Sequence, residues 1–574
     1  MLMNIDSTPD NMTSGDIFSN ILKNNDKIRV GVMLDDYYLE AWHYFILDSI
    51  VKSEYASIEL VMVNSGRDKK NTRPDKIREK WKKLLYTAYT ELENRMLQHE
   101  PDAFARRDAQ KILNEIPALE IQPVMNTGSD LFGEEDIGRI QEYRLDVIIK
   151  LGFGILKGGI LNTARYGVWS YYPSDTTAVR GGPPGFWETF EGKGERGTNL
   201  EVLTEDPDKG IIIYRTSFRC DSLFVRRNNN NCYLTSSMFV PRLLKKLYEG
   251  GGDAFITATQ QEKTKLDFYD DVLYSIPTNS EFLRVFLHHY FHKGIQILRD
   301  QFFHHQWFLM YDLQDQISTS FWRFKKIFPP RDRFWADPHV FFKDDRYYIF
   351  VEEFVFKKDR GHISVIEMQK SGKYSDPVMV LDEPFHLSYP YVFDHNGTVY
   401  MIPETYQANS INLYECTVFP TEWKHRETLM DKVKAVDSTL LFSRDKWWLF
   451  TNISEPEGTF NSNELFVFFS DKLIDGIWHS HPMNPVITDI KRARSAGKIF
   501  EQNGVLYRPS QCGVPTYGYG IKLNEIVTLT ENDYQEKEIA FIEPGWDKKL
   551  KGVHTFCYEN GLTMIDGYYH TFSL

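Results

Sequence analysis

The chain has 574 residues, which is too long for one hydrophobic core and predicts about two to four domains. Its composition, 42% hydrophobic and 26% charged, is that of a globular protein and excludes a disordered or fibrous one. The formal charge of −13 disfavours nucleic acid as a partner, because phosphates would be repelled.

Cysteine usage and hydropathy bear on compartment and membrane contact. The five cysteines are scattered and form no CxxC pair, which predicts reduced thiols, a cytoplasmic location and no metal site. No run of 18 apolar residues occurs, so the sequence predicts no membrane span. Residues 1–26 are polar and are predicted to be disordered or extended. Nothing in the sequence indicates the oligomeric state.

Residues 27–240 carry the pattern of an α/β domain. Near-continuous apolar runs at 27–35, 58–63 and 145–151 are separated by helical stretches, and a helical insertion is predicted over 75–118. This alternation is typical of a parallel, Rossmann-type sheet that is covered on both faces. Gly152 and Gly154 follow the third run, at the strand edge where open α/β sheets bind ligands.

Three motifs follow these strands in order. Gly167-Val-Trp-Ser-Tyr-Tyr leads into Arg180-Gly-Gly-Pro-Pro, and Asp206-Pro-Asp-Lys-Gly comes next. This order resembles the formyltransferases that use 10-formyltetrahydrofolate. The resemblance implies a formyltransferase-like fold over about residues 28–225, and a bound 10-formyltetrahydrofolate.

The family's catalytic positions are only partly matched. Asp208 stands at the family aspartate, whereas Ser170 and Tyr172 stand where the family has asparagine and histidine. The resemblance makes these three residues the catalytic candidates, and it makes a second set the cofactor-binding candidates. That second set is Gly152, Gly154, Arg180 and Gly181. A tyrosine with a pKa of about 10 is a poor base at neutral pH, so both a rewired formyltransferase and a fold without this activity remain open.

Residues 241–306 are predicted to be a helical connector. Apolar residues recur at spacings of three and four from 279 onwards, interrupted by three histidines. A metal site at His288, His289 and His292 is not favoured, because no carboxylate or cysteine lies at ligand spacing.

Residues 307–574 contain a fivefold repeat. Each copy has a polar entry, an apolar strand, a turn of Asp, Asn, Gly or Lys, and an aromatic strand. The copies begin about 45–60 residues apart, the length of a four-stranded blade. The sequence therefore predicts an all-β, five-bladed propeller.

The blade entries bring polar residues to one axis. We predict a ligand pocket lined by two entry aspartates, a glutamate, an arginine and a histidine, namely Asp337, Glu404, Asp437, Arg494 and His554. Motifs such as Trp335-Ala-Asp-Pro and Arg494-Ser-Ala-Gly resemble the N-terminal domain of plant glucosamine inositolphosphorylceramide transferases. That resemblance implies a propeller of the arabinanase type.

The sequence supports three functions. The main prediction is an enzyme that transfers a formyl group to an amine of a sugar or natural-product precursor, with a ligand-binding propeller. The first alternative is a carbohydrate-active propeller that uses an Asp/Glu pair for glycosyl cleavage or transfer. The second is a non-catalytic binding protein with a degraded formyltransferase site. All three take a small-molecule amine or a sugar-like ligand as partner.

Overall fold

The computed structural model describes residues 26–67, 81–97, 101–126, 128–172, 175–176, 179–207, 210–220, 223–250, 273–455, 459 and 462–572. It divides the chain into two compact units. The first comprises Met1–Glu188, Arg196–Arg215 and Phe224–Arg284, and the second comprises Thr189–Glu195, Thr216–Leu223 and Val285–Leu574.

The first unit is built on a seven-stranded sheet. Its strands are β1 (Ile28–Leu34), β3 (Ala56–Asn64), β5 (Ala118–Ile121), β8 (Val147–Lys150), β10 (Val168–Tyr172), β13 (Glu195–Val202) and β14 (Ile211–Arg219). Their order in the sheet is β14-β13-β10-β8-β1-β3-β5. Strands β10, β8, β1, β3 and β5 run parallel, whereas β13 pairs antiparallel with β10. The predicted parallel sheet is therefore present, with an antiparallel edge.

Smaller strands and helices surround this sheet. The strands are β2 (Tyr38–Glu40), β4 (Arg106–Asp108), β6 (Val124–Asn126), β7 (Ser129–Leu131), β9 (Ile155–Lys157), β11 (Asp175–Thr176), β12 (Val179–Gly181) and β15 (Leu273–Tyr274). The helices are α1 (Ala41–Val51), α2 (Leu84–Met96), α3 (Gln110–Leu113), α4 (Glu134–Gln141), α5 (Phe186–Phe190) and α6 (Val225–Ser236). Residues 239–250 are also helical, and a long helix α7 spans Asn279–Phe302.

Two apolar cores lie on opposite faces of the main sheet. Val30, Val32 and Leu34 of β1 belong to one buried cluster, whereas Met33 belongs to the other. Successive side chains of a strand point to opposite faces, so a strand covered on both sides must be apolar throughout. This explains why β1 shows no polar alternation after Arg29.

The second unit contains five four-stranded antiparallel sheets in chain order. The first sheet consists of β18 (Arg333–Lys343), β19 (Arg346–Val355), β20 (Arg360–Gln369) and β21 (Val378–Leu381), and the second of β22 (Ser388–His395), β23 (Thr398–Glu404), β24 (Ser410–Val418) and β25 (Glu422–Asp431). The third consists of β26 (Ala435–Ser443), β27 (Lys446–Ile453), β28 (Leu465–Ser470) and β29 (His479–Ser480). The fourth consists of β30 (Phe500–Gln502), β31 (Val505–Cys512), β32 (Gly520–Leu529) and β33 (Tyr534–Ile542). This is the strand order of propeller blades.

The fifth sheet joins the two ends of this unit. It combines β16 (Phe303–Leu313) and β17 (Lys325–Ile327) with β34 (Phe556–Glu559) and β35 (Leu562–Phe572). Strand β16 pairs with β35 over eleven consecutive residues. The prediction of a mostly-β C-terminal half is confirmed, and its five hairpins are those identified from the repeat.

We call the hairpins β18–β19, β22–β23, β26–β27, β30–β31 and β34–β35 the inner hairpins. All five have the same type of turn. In each, two central residues have positive φ, as a type I′ turn requires. The pairs are Asp344-Asp345, Asn396-Gly397, Arg444-Asp445, Asn503-Gly504 and Asn560-Gly561. Asn, Asp and Gly tolerate this conformation best, which is why these residues mark the repeat.

Candidate functional site

The inner strands of the first three sheets each enter through a bulge. Asp337, Tyr389 and Asp437 occupy equivalent positions, and all three have left-handed backbone, with φ of 52°, 45° and 49°. The strand pairing shifts by one residue at each of them. Bulges re-aim side chains and often lie beside functional sites, and non-glycine residues at positive φ carry strain that the surroundings must offset.

Arg494 forms the centre of one part of the site. Its Nε donates to Oδ2 of Asp437 at 2.6 Å, and its Nη2 lies 3.8 Å from Oε2 of Glu404. Gln511 donates to the same Asp437 oxygen at 3.0 Å. Asp437 is buried, and Glu404 and Arg494 keep only 11% and 15% of their side chains exposed. One guanidinium therefore serves two carboxyl groups away from bulk water.

His554 forms the centre of the other part. Its Nδ1 lies 2.6 Å from Oδ2 of Asp566, and its Nε2 lies 3.6 Å from Oδ1 of Asp337. Burial opposes protonation of His554, but Asp566 and Asp337 outweigh it and raise its pKa. The two buried carboxyl groups thus favour the protonated, cationic form of the imidazole.

Two tyrosines join these parts. The backbone N–H of Tyr389 donates to Asp337 at 3.2 Å, and its hydroxyl contacts Thr439 at 2.8 Å. The ring of Tyr517 lies 5.2 Å from the Arg494 guanidinium carbon and 5.7 Å from the His554 ring. We call Asp337, Glu352, Tyr389, Glu404, Asp437, Arg494, Gln511, Tyr517, His554 and Asp566 the axial network.

Acidic groups outnumber cations in this network. It contains five carboxyl groups, and among the described residues its cations are Arg494 and His554. Burial raises the pKa of Glu352, and the neighbouring Asp337 and Glu404 raise it further. Burial and then Asp437 raise the pKa of Glu404 well above its usual range. Burial raises the pKa of Asp337 to about 6. Burial therefore favours the protonated forms of these three carboxyl groups over those of exposed ones.

Two oxygen atoms of the network lack a hydrogen bond within the described part of the chain. They are Oε2 of Glu404 and Oε1 of Gln511, both buried. Buried acceptors without partners are costly, so a native structure that keeps them calls for an explanation such as a bound ligand. Both atoms belong to side chains that contact the Asp437–Arg494 pair.

Asp337, His554 and Asp566 could also hold a cation. One ligand atom from each lies within 4.8 Å of the others, and all three side chains are buried. However, Oδ1 of Asp566 already accepts the backbone N–H groups of His554 and Thr555. Oδ1 of Asp337 accepts the Thr555 hydroxyl at 2.7 Å. Hydrogen bonds thus already engage both aspartates.

The structure brings together all five residues of the predicted propeller pocket. The predicted pocket left out five members of the network: Glu352, Tyr389, Gln511, Tyr517 and Asp566. Glu404 and Asp566 both lie on the aromatic strand of their repeats, β23 and β35, so the repeat contained a signal for Asp566. Tyr517 lies in a loop outside the repeated pattern, and no signal marked it.

The described residues among those predicted for formyl transfer lie in the first unit. Ser170 is half-buried and Tyr172 is 38% exposed, both on β10. Gly152 packs against the end of β1, where a Cβ would collide with the backbone of Asp35. The N–H of Gly154 donates to Asp130 at 2.6 Å.

Three of these predicted residues remain: Arg180, Gly181 and Asp208. Arg180 and Gly181 lie on β12, whose backbone pairs with β15. Asp208 lies outside the described residues, so its expected role stays a prediction.

Comparison with known proteins links the second unit to one family. Residues 325–558 match the model described as glucosamine inositolphosphorylceramide transferase 1, N-terminal. The glucosamine inositolphosphorylceramide transferase 1 of Oryza sativa subsp. japonica is 35% identical over 206 residues, and that of Arabidopsis thaliana is 32% identical over 212. These matches cover 35% and 36% of this chain, and 27% of each relative. The aligned part is thus about a quarter of the relatives' length.

Solved structures show weaker likenesses. Zg3597, a family 117 glycoside hydrolase from Zobellia galactanivorans, is 9% identical, with a TM-score of 0.31, and the superposition covers 46% of this chain and 90% of that chain. A GH43 endo-arabinanase from Bacillus licheniformis is 14% identical, with a TM-score of 0.29, over 42% and 95%. Glycinamide ribonucleotide transformylase 1 from Symbiobacterium toebii is 15% identical, with a TM-score of 0.28, over 39% and 89%.

These comparisons correct the main functional prediction. The curated relatives carry the name of a glucosamine inositolphosphorylceramide transferase, which conflicts with a folate-dependent formyltransferase. The prediction of folate-dependent formyl transfer was therefore wrong, and the departures from the family at Ser170 and Tyr172 had already weakened it. The resemblance of the C-terminal half to the glucosamine inositolphosphorylceramide transferases is confirmed over residues 325–558.

Proposed function

We propose that the second unit binds an amino sugar at the axial network and acts on its glycosidic bond. The observation that carries this proposal is the acidic surplus of the network, five carboxyl groups against Arg494 and His554. An ammonium group would neutralise part of that surplus, and a charge-assisted hydrogen bond to a carboxylate is roughly twice as strong as a neutral one.

Unused hydrogen-bonding capacity supports a sugar as the ligand. Oε2 of Glu404 and Oε1 of Gln511 are buried acceptors without partners in the described structure, suited to sugar hydroxyl or ammonium donors. Tyr517 is 41% exposed and lies beside Arg494. Its ring offers a flat apolar face to a sugar ring. The network thus provides both kinds of contact that sugars make.

The comparisons support the same ligand class. The name of these relatives contains glucosamine, which is an amino sugar. The matching segment, residues 325–558, includes Asp437, Arg494 and Glu404, which form one group of ion pairs in the network. An activity on a glucosamine-bearing substrate is therefore consistent with the part of the chain that is shared.

The proposed chemistry assigns two roles. Glu404, protonated because its pKa is raised, gives its proton to the leaving glycosidic oxygen as the bond to the anomeric carbon breaks. Asp337, whose pKa is about 6, takes the proton from the hydroxyl or water that attacks that carbon. Arg494 holds Asp437 in place beside the reacting sugar. This acid/base pair corresponds to the first alternative from the sequence.

Calorimetric titration of the full chain tests the binding half of this proposal. Glucosamine should bind at pH 7, and N-acetylglucosamine, which has the same ring without the charge, should bind at least about tenfold more weakly. Glu404→Gln should weaken glucosamine binding, whereas the surface variant Glu367→Gln should not. Equal affinity for glucosamine, N-acetylglucosamine and glucose would overturn the assignment.

A further inference from the structure

The outward face of helix α7 carries a continuous apolar stripe. Its members recur at spacings of four, four, four, three and four residues, which keeps them on one side of a helix. They are Leu283, Leu287, Phe291, Ile295, Leu298 and Phe302, exposed by 48%, 60%, 66%, 50%, 58% and 53%. In addition, every residue from 295 to 302 is exposed.

The opposite face of the helix is packed in the first half of α7. His289 is buried, and its ring lies 4.9 Å from that of Phe190, while Phe286 lies 6.3 Å from the same ring. The helix therefore packs through this face, and its apolar stripe remains exposed to water. Exposed apolar patches of this size mark interaction surfaces.

A glycine on the same stripe points to a helix as the occupant. Gly294 lies inside α7, and a Cβ placed there would meet no atom within 4 Å. Neither space nor backbone conformation in this chain requires glycine, which costs roughly 0.5–1 kcal/mol against alanine inside a helix. A residue without a side chain does allow a second helix to approach closely at that point.

We propose that α7 pairs with α7 of a second copy of this chain, in antiparallel orientation. The six stripe residues expose on the order of 100 Å² each, about 600 Å² in total, near the roughly 800 Å² per partner of a standard interface. The stripe is also nearly symmetric along the helix. Leu287 and Ile295 lie at equal distances on either side of Phe291, so Phe291 faces its own copy.

Charge favours the antiparallel direction. Glu281 lies near the start of α7, and Arg299 lies near its end on the same edge of the stripe. Antiparallel pairing places each glutamate opposite an arginine, whereas parallel pairing places like charges together. It also opposes the two helix dipoles favourably.

The molar mass of the full chain in solution, from sedimentation equilibrium, tests this proposal. We expect a dimer that Phe291→Glu and Leu298→Glu convert to a monomer without changing the thermal melting curve. Ile477→Glu, at an isoleucine that is 75% exposed on the second unit, is the matched control and should remain dimeric. A monomeric wild-type chain at micromolar concentration would overturn the proposal.

Cysteine cross-linking tests the orientation and the occupant. Phe291→Cys should oxidise to a disulfide-linked dimer, because disulfides need Cα atoms within about 7 Å. Phe302→Cys should not, since an antiparallel pair separates the two copies of residue 302 by roughly 33 Å. A disulfide through Phe302→Cys would overturn the antiparallel arrangement, because only a parallel pair brings the two copies of residue 302 together. Binding of a monomeric chain to anionic phospholipid vesicles, abolished by Phe291→Glu, would show a lipid surface as the occupant and overturn the proposal.

Discussion

Nε of Arg494 lies 2.6 Å from Oδ2 of Asp437, although 57 residues separate them along the chain. Asp437 opens the inner strand of the third sheet, and Arg494 precedes that of the fourth. The same guanidinium approaches Glu404 of the second sheet at 3.8 Å. Three sheets thus meet at one buried cation, and its removal affects both stability and the proposed ligand site.

The first prediction concerns that cation. Arg494→Met should lower the free energy of unfolding by about 3–5 kcal/mol at pH 7, because Asp437 would remain buried without its partner. Denaturant unfolding measures this loss. Arg492→Met is the control: Arg492 pairs with Asp489 at 3.5 Å near the surface, and its loss should cost under about 1 kcal/mol. Similar losses in both variants would show that the buried pair does not hold the three sheets together.

The second prediction concerns Glu352, which is buried beside the other carboxyl groups. Its folded-state pKa is raised, so its protonated form favours folding at pH below its unfolded pKa, and that contribution is lost as pH rises through the folded pKa. Glu352→Gln cannot ionise. It should therefore leave stability unchanged near pH 4 and raise it above neutral pH, as measured by unfolding across that range. A variant that is less stable than wild type at pH 8 would contradict the raised pKa.

Sequence reasoning succeeded where a local pattern repeats. The five inner hairpins were visible because each combines an apolar strand, a turn of Asn, Asp or Gly, and an aromatic strand. The entry residues Asp337 and Asp437 could be paired across sheets for the same reason. The N-terminal parallel sheet was visible as apolar runs separated by helices.

The local sequence pattern could not predict which strands pair across long stretches of the chain. Strand β16 begins at Phe303 and pairs with β35, more than 250 residues later, and its first residues continue the aromatic and histidine-rich pattern of α7. A local window therefore extends the helix to 306, whereas the structure ends it at Phe302. The positive φ at Tyr389 was equally hidden, because tyrosine gives no signal for left-handed backbone.

The third prediction tests the proposed acid. Glu404→Gln should reduce cleavage or transfer of a glucosaminide by about 10²–10⁴-fold, because glutamine cannot give a proton to the leaving oxygen. Wild-type turnover should fall as pH rises through the raised pKa of Glu404. The variant should lose that alkaline limb, measured with a chromogenic glucosaminide as the probe. An unchanged rate and pH profile would remove Glu404 from the acid role.

The fourth prediction concerns the backbone beneath the network. Gly497 has φ of 128°, and a Cβ there would collide with the carbonyl oxygen of Phe556. Its N–H also donates to the Tyr389 hydroxyl at 2.8 Å, so any displacement reaches the entry of the second sheet. We expect Gly497→Ala to cost more than about 3 kcal/mol in unfolding free energy, the range of strained or overpacked buried sites. Glucosamine affinity should fall as well, because Tyr389 holds Asp337 through its N–H.

Gly397→Ala separates collision from backbone strain. Gly397 also has positive φ, 81°, but a Cβ there meets no atom within 4 Å, so this variant should cost only about 1–2 kcal/mol. It lies in the turn of the second hairpin, away from the bulges, and should leave glucosamine affinity unchanged. Both variants are compared by denaturant unfolding and by calorimetric titration. If Gly497→Ala matched this control in both measurements, the contact with Phe556 would not position the network, and the sheets would set its geometry without it.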